Sequence, residues 1–347
     1  MRLADLPEMI NDESQLDEVM SRGSEDLMHL LQTIDGDLII LGIAGKVGVH
    51  LGMAAMRGIE KAGISKKVIG VSRFSNQIAR EKLEAAGVET IACDLMDVEA
   101  VSRLPLIPNV IFMAGKKFGT SGSEDLTWAM NTLLPANVSR HFRQSRIVVF
   151  STGNVYALSP VSGVMPTEED VPNPIGEYAQ STLGRERIFE YFCNQNQTPV
   201  CIFRLNYAVD LRYGVLRDIG DRVFAGQPID LSTGHVNVIW QGDVVNQALL
   251  SLAHCSCPAN ILNITGPETA SIRYIAGQFA RLFGCSVEFI NEEKPTALLN
   301  NAAKAANLFG YPTVPLLRMI EWTAHWIKIG GASLNKPTHF EVRNGNF

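Results

Sequence analysis

Leu38-Ile39-Ile40-Leu41-Gly42-Ile43-Ala44-Gly45-Lys46-Val47-Gly48 is the stretch that decides the fold. Four apolar residues make a strand-length run, three evenly spaced glycines follow it, and residues 47–62 then read as a helix. At such a strand-to-helix turn one glycine lets the chain turn tightly, another lets backbone approach a pyrophosphate, and a third admits close helix packing. The helix N-terminus adds amide donors and a dipole favourable to an anion. Gly42, Gly45 and Gly48 therefore predict a dinucleotide-binding loop.

Outward from this loop, strand-like and helix-like segments alternate. Val68-Ile69-Gly70-Val71 is a second strand, 76–86 a helix, 88–92 a third strand and Val110-Ile111-Phe112-Met113 a fourth. A long helical stretch over 123–142 precedes Ile147-Val148-Val149-Phe150. A Pro/Gly-rich connection over 160–176 leads to a helix at 178–195 and a strand at 199–205. This alternation predicts an α/β chain, a Rossmann-type doubly wound parallel sheet with a smaller C-terminal α/β substrate domain. The dinucleotide-binding domain is expected over 37–206, with 234–256 returning to it. Residues 207–233 and 257–330 form the substrate domain, and 331–347 a tail that composition marks as poorly ordered.

Composition bounds the function. The 347 residues carry 30 Lys+Arg against 36 Asp+Glu, a net −6 that excludes a basic nucleic-acid footprint. The acids are concentrated: residues 1–37 hold ten acids and two bases, so the rest of the chain is slightly basic. Apolar residues recur at three- and four-residue steps over 8–34, which makes 1–36 an acidic helical extension, either a cap docked on the domain surface or a dimer contact. No basic-then-apolar leader opens the chain, and no run approaches the ~18 apolar residues of a membrane span. The six cysteines show no CxxC pair and the histidines no ligand spacing, so reduced thiols, no catalytic metal, no membrane partner and a cytoplasmic location are expected.

An NAD site prefers an acid at the end of the second strand, where it accepts hydrogen bonds from a ribose hydroxyl. Here Ser72-Arg73 stands there, and a hydroxyl beside a guanidinium suits a 2′-phosphate, which favours NADP over NAD.

With these pieces in place the chain resembles an extended short-chain dehydrogenase/reductase of the NAD-dependent epimerase/dehydratase type, over about residues 37–329. Besides the glycines, the resemblance rests on Asp94-Leu95 after the third strand, Met113-Ala114-Gly115 after the fourth, with Lys116 following, and Asn131 in the next helix. Phe150-Ser151-Thr152-Gly153-Asn154-Val155-Tyr156 and Pro172-x-Pro174-x-x-x-Tyr178 complete it. It implies cofactor contacts at Gly42, Gly45, Gly48, Ser72, Arg73, Asp94, Leu95, Ala114, Gly115, Lys116 and Asn131. It implies that Tyr178 is the general acid/base, that Thr152 orients the substrate oxygen, and that position 182 holds a lysine. A free phenol is a poor base at neutral pH without a nearby cation. Here position 182 is Thr182, retained as a catalytic position whose hydroxyl would reach a ribose without lowering the phenol pKa; either another nearby cation (Lys116, Lys117 or Arg185) substitutes, or Tyr178 acts only as a proton donor, or the redox chemistry is lost.

Family members acting on nucleotide sugars carry an arginine for the diphosphate where this chain has Val236; valine makes no such contact, and Arg204, Arg212 and Arg217 are the candidates to compensate. The expectation is an NAD(P)-dependent oxidoreductase or epimerase acting on a small hydroxy or keto substrate, such as a sugar or sugar acid, and not on a nucleotide-diphosphate sugar. The alternatives are a non-catalytic NAD(P)-binding sensor and a non-redox isomerase or lyase on the same fold. The resemblance also implies a homodimer through the helices over 123–142 and 178–195.

Overall fold

The computed structural model describes residues 5–75, 77–117, 119 and 122–345. Seven parallel strands form the central sheet: β1 (Leu38–Leu41), β2 (Val68–Ser72), β3 (Glu89–Ala92), β4 (Asn109–Phe112), β5 (Arg146–Thr152), β6 (Val200–Leu205) and β7 (Asn260–Ile264). Their spatial order is β7-β6-β5-β4-β1-β2-β3. β1 pairs with β2 on one side, Leu38 against Val68, and with β4 on the other, Leu38 against Asn109. The chain order reverses between β1 and β4, so a crevice opens beyond the carboxyl ends of these strands, where ligands of such sheets collect.

Both faces of the sheet are covered, which explains the uninterrupted apolar runs. Because successive side chains alternate, Leu38 and Ile40 enter one core with α2 (Glu25–Thr33), α3 (Gly48–Lys61) and α10 (Gln241–Leu250). Ile39 and Leu41 enter the other core, with α7 (Leu134–His141) and α8 (Glu177–Asn196). α4 (Gln77–Ala85) and α12 (Ala303–Phe309) add Leu83 and Ala305 to the first core and α5 (Val98–Ser102) adds Val101 to the second, while a third core, built on α9 (Val215–Phe224), α11 (Ile272–Phe283) and α13 (Leu316–Lys328), buries Phe279, Trp322 and Trp326.

Three expectations are corrected. The returning segment runs to Ile264 rather than to 256, because β7 pairs with β6 along its whole length. Asn260 and Asn263 interrupt the apolar run that marks the other strands, which hides this one. The helix expected over 123–142 contains a π-helical turn, Ala129–Leu133, between α6 (Glu124–Trp128) and α7. Up to Gly345 the tail is packed on the body: Phe340 is buried, the Thr338 amide donates to Asp218, and Arg343 donates to the carbonyls of Ser232 and Thr296. These anchors are all long-range, so composition could not show them. Asn76, which opens the expected helix over 76–86, lies outside the described residues.

The acidic N-terminal segment bridges two of these cores: α1 (Glu13–Met20) places Leu16, Val19 and Met20 in the third, while α2 places Leu27 and Leu31 in the first, against the sheet. Asp17, on the buried face of α1, lies 2.8 Å from His50 Nε2 on α3 and pairs with Lys82 and Arg212. Burial alone would raise its pKa, but hydrogen bonds with His50 and Lys82 outweigh burial and hold it at about 2. A carboxylate depressed in the folded state stabilises above its unfolded value near 4, and this contribution is lost as pH falls toward 2. Asp17→Asn is expected to cost about 2 kcal/mol at pH 7 and to flatten stability between pH 4 and 2. Urea unfolding at a series of pH values measures both, and an unchanged acid limb would remove Asp17 from the account. No helix among the described residues is long and apolar enough to cross a membrane.

Candidate active site

The three glycines meet three different demands. Gly42 has φ +91°, and a Cβ there would lie 2.7 Å from the Ala114 nitrogen. A Cβ on Gly48 would lie 2.2 Å from the Ile43 carbonyl oxygen, so close packing of α3 on the loop excludes a side chain. At Gly45 the nearest obstacle is 3.5 Å away, and the residue is exposed, leaving backbone open to a ligand. No side chain caps α3; its first two amides, of Gly48 and Val49, donate to the Gly45 carbonyl.

A cavity of about 290 Å³ runs from this loop to the end of β5. Of the residues expected from sequence, Gly42, Gly45, Gly115, Lys116, Thr152 and Tyr178 line it together. Asn131, on the π-helical turn, sits just behind: its Oδ1 accepts from the Lys116 amide (3.1 Å), and its Nδ2 donates to Ser181 Oγ (2.9 Å). Ala114 abuts Gly42 at the mouth of the turn. Ser72 and Arg73 lie at the end of β2, half-buried and exposed respectively. The Asp94 carboxylate accepts from the Met96 amide, while Leu95 is buried in the sheet core.

Tyr178 is in the first turn of α8, and the Lys117 ammonium lies 5.7 Å from its ring centre. Thr152 ends β5. Its hydroxyl accepts from the Asn154 amide and donates to Asn154 Oδ1 at 3.0 Å. The expected catalytic place of Thr182 is corrected: it is 0 % exposed and outside the cavity lining, because its hydroxyl donates to the Tyr178 carbonyl at 2.8 Å inside α8 rather than toward a ribose.

The cation near this position comes one turn later. Arg185 lines the cavity, donates from Nη1 to the Phe150 carbonyl (2.8 Å) and from Nη2 to Asn131 Oδ1 (2.6 Å), and leaves Nε without a partner. Burial lowers its pKa to about 10, and the charges of Tyr178 and Glu186 oppose the shift. Gly115 makes room for it, since a Cβ there would lie 1.9 Å from Arg185 Nη2. Gly115→Ala is expected to cost about 1–3 kcal/mol by overpacking, with Arg185→Ala in the same background recovering most of it. Chemical unfolding of both variants tests this, and a neutral Gly115→Ala would contradict it.

Sequence reading does not find Lys46, Tyr207, Tyr213 and Thr338, which complete the cavity walls. Lys46 stands in plain view inside the glycine stretch, as a cation just before a helix N-terminus. The other three come from the substrate domain and the tail and carry no local motif.

Residues 38–209 match the model of the NAD dependent epimerase/dehydratase family, and this segment belongs to that family. No curated protein matches the chain. Solved structures similar to it include a UDP-glucose 4-epimerase of Thermus thermophilus in complex with NAD, with TM-score 0.68 and 20% identity, covering 84% of this chain and 99% of that one. A UDP-glucuronic acid 4-epimerase from Bacillus cereus, in complex with UDP-glucuronic acid and NAD, aligns with TM-score 0.67 and 17% identity over 84% and 99% of the two chains. The UDP-glucose 4-epimerase of Thermotoga maritima, with UDP-glucose, gives 0.68 and 17% over 84% and 98%. At these identities the likeness is one of fold.

Proposed function

We propose that this chain is an NAD(P)-dependent oxidoreductase or epimerase acting on a small hydroxy or keto substrate such as a sugar or sugar acid. One observation carries the reading: a single cavity is lined both by the glycine loop at the start of α3 and by the Tyr178 phenol and the Thr152 hydroxyl. The loop fits a dinucleotide diphosphate, seated against Gly42 and Gly45 at the positive end of the α3 dipole. When bound, the nicotinamide supplies the hydride acceptor or donor.

The chain's own residues then handle the substrate oxygen. Tyr178 Oη takes the hydroxyl proton during oxidation and returns it during reduction. Thr152 Oγ1 turns its proton from Asn154 Oδ1 toward the substrate oxygen, keeping the amide of Asn154 as its donor. Arg185 and Lys117 supply positive potential on the Tyr178 side.

One feature supports a small substrate, although two of the similar structures named above hold nucleotide sugars: Val236 is fully buried and offers no charge. Arg73 at the β2 end, with no carboxylate there, supports NADP over NAD.

The test is titration with NAD+, NADP+, NADH and NADPH, read by heat and nicotinamide fluorescence. Tight binding of one pair supports the reading, and failure of all four ends it. The buried, engaged Thr182 favours a second reading, binding without turnover, which a substrate screen on the dinucleotide-bound protein separates.

The exposed apolar residues Leu126, Leu133 and Tyr191, on the helices expected to dimerise, support a homodimer. Light scattering is expected to give twice 38.0 kDa, and a monomer mass at micromolar concentration would refute the dimer.

A further inference from the structure

Lys46 sits between the second and third glycines of the loop, two residues before α3 begins. Its Nζ lies 3.0 Å from the ring centre of Tyr213, a substrate-domain residue, and both side chains line the cavity of the glycine loop. The cavity's other ionisable lining groups are Lys116, Lys117, Arg185 and the phenols of Tyr178, Tyr207 and Tyr213; no carboxylate is among the described lining residues. In a chain of net charge −6, such a lining selects for an anion.

We propose that Lys46 is a diphosphate clamp: Tyr213 shelters its ammonium in this structure, and a diphosphate seated on the glycine loop draws it off the ring onto a phosphate oxygen. The inference rests on the dinucleotide reading above and adds a residue and a proton to it. The contact replaces a shared π face with a charge-assisted hydrogen bond, the stronger of the two in a partly desolvated site.

The proton follows from the surroundings. Burial, then the charges of Lys117 and Lys336, lower Lys46 to about 7, with Asp218 and Asp210 opposing from the substrate-domain side. Above pH 7 the amine is therefore mostly neutral. A phosphate beside it restores the ammonium, so binding takes up a proton from solvent, and affinity falls as pH rises.

The experiment is calorimetric titration of the full chain with NADP+ and NAD+, and separately with inorganic pyrophosphate. Buffers of different ionisation heat cover pH 6.5 to 9.5. Wild type is expected to approach one proton taken up near pH 8.5, with affinity falling about tenfold per pH unit above 7.5. Lys46→Met is expected to bind about ten- to a hundredfold more weakly at pH 7 without uptake. Lys46→Arg, charged throughout, is expected to bind tightly with a flat pH profile. Since Lys46→Met removes a buried amine, loss of fold is not expected, and Lys46→Arg carries the test in any case.

A wild-type affinity that is flat in pH, or Lys46→Met binding like wild type, overturns the clamp and leaves the dinucleotide reading standing. If pyrophosphate binds with Lys46-dependent uptake while no dinucleotide binds, the clamp stands and the redox reading falls. If neither ligand binds, both fall.

Discussion

Tyr178→Phe is expected to lower turnover by about 10²–10⁴-fold while leaving dinucleotide affinity within about twofold. The substitution removes one oxygen from a residue lining the cavity and keeps the ring that packs near Lys117. A phenol that moves a proton in the reaction is missed only in the transition state, so kcat falls and ligand binding does not. A tyrosine that merely packs at the start of α8 would show the reverse, with turnover preserved. Thr152→Ala is expected to act more weakly, because Asn154 is an additional polar group beside the same point.

The companion change, Thr182→Lys, supplies the lysine that the family resemblance implies but not the surroundings it would need. Position 182 is fully buried, and the Arg185 guanidinium is already fixed between Gly115, Asn131 and the Phe150 carbonyl. A second cation beside it meets like-charge repulsion, so Thr182→Lys is expected to raise turnover only when combined with Arg185→Met. Turnover assays of the two single variants and the double variant decide between an arginine that serves the site and one that obstructs it.

What the sequence reveals and what it conceals divide along the range of the interactions. β1, the glycine loop, β4, β5 and α8 are legible because both-face burial leaves continuous apolar runs and helix packing leaves a period. Gly42, Gly45, Thr152 and Tyr178 stand at fixed offsets from those elements, and they meet in one cavity. β7 escapes notice because Asn260 and Asn263 break its run; Asn263 is there to accept from Tyr156 and to donate to two loop carbonyls. The tail misleads because a segment with few apolar residues is held by Asp218, Thr296 and a close approach of Gly345 to Gly176, all distant in sequence. Arg185 is visible as a charge in a helix, but its partner Gly115 lies seventy residues earlier. Only the folded chain shows that one makes room for the other.

The largest stability effect is expected at Glu186, where glutamine is predicted to cost about 3–5 kcal/mol. Glu186 and Arg204 are 0 % and 1 % exposed, and Arg204 reaches the carboxylate with both Nε (2.9 Å) and Nη2 (2.6 Å). Arg204 Nη1 donates to Tyr156 (2.6 Å), which donates in turn to Asn263 (2.9 Å), and Ser151 donates to Glu186. The network thus ties α8 to β5, β6 and β7. Burial opposes the Arg204 charge, but the Glu186 hydrogen bonds and charge outweigh it and push its pKa up. Glutamine keeps the shape and removes the countercharge, so a guanidinium that cannot lose its proton is left unpaired in a dry interior. Replacing both partners, Glu186→Leu with Arg204→Met, removes the charge together with its need for a partner and is expected to cost less than Glu186→Gln alone. That ordering, read by urea unfolding, is what a simple sum of deleted contacts would not give. A Glu186→Gln variant within about 1 kcal/mol of wild type would show that water reaches the pair. If the ordering holds, Ser151 links stability to chemistry: it is the residue before Thr152, so loosening Glu186 also loosens the strand end that presents the threonine hydroxyl to the cavity.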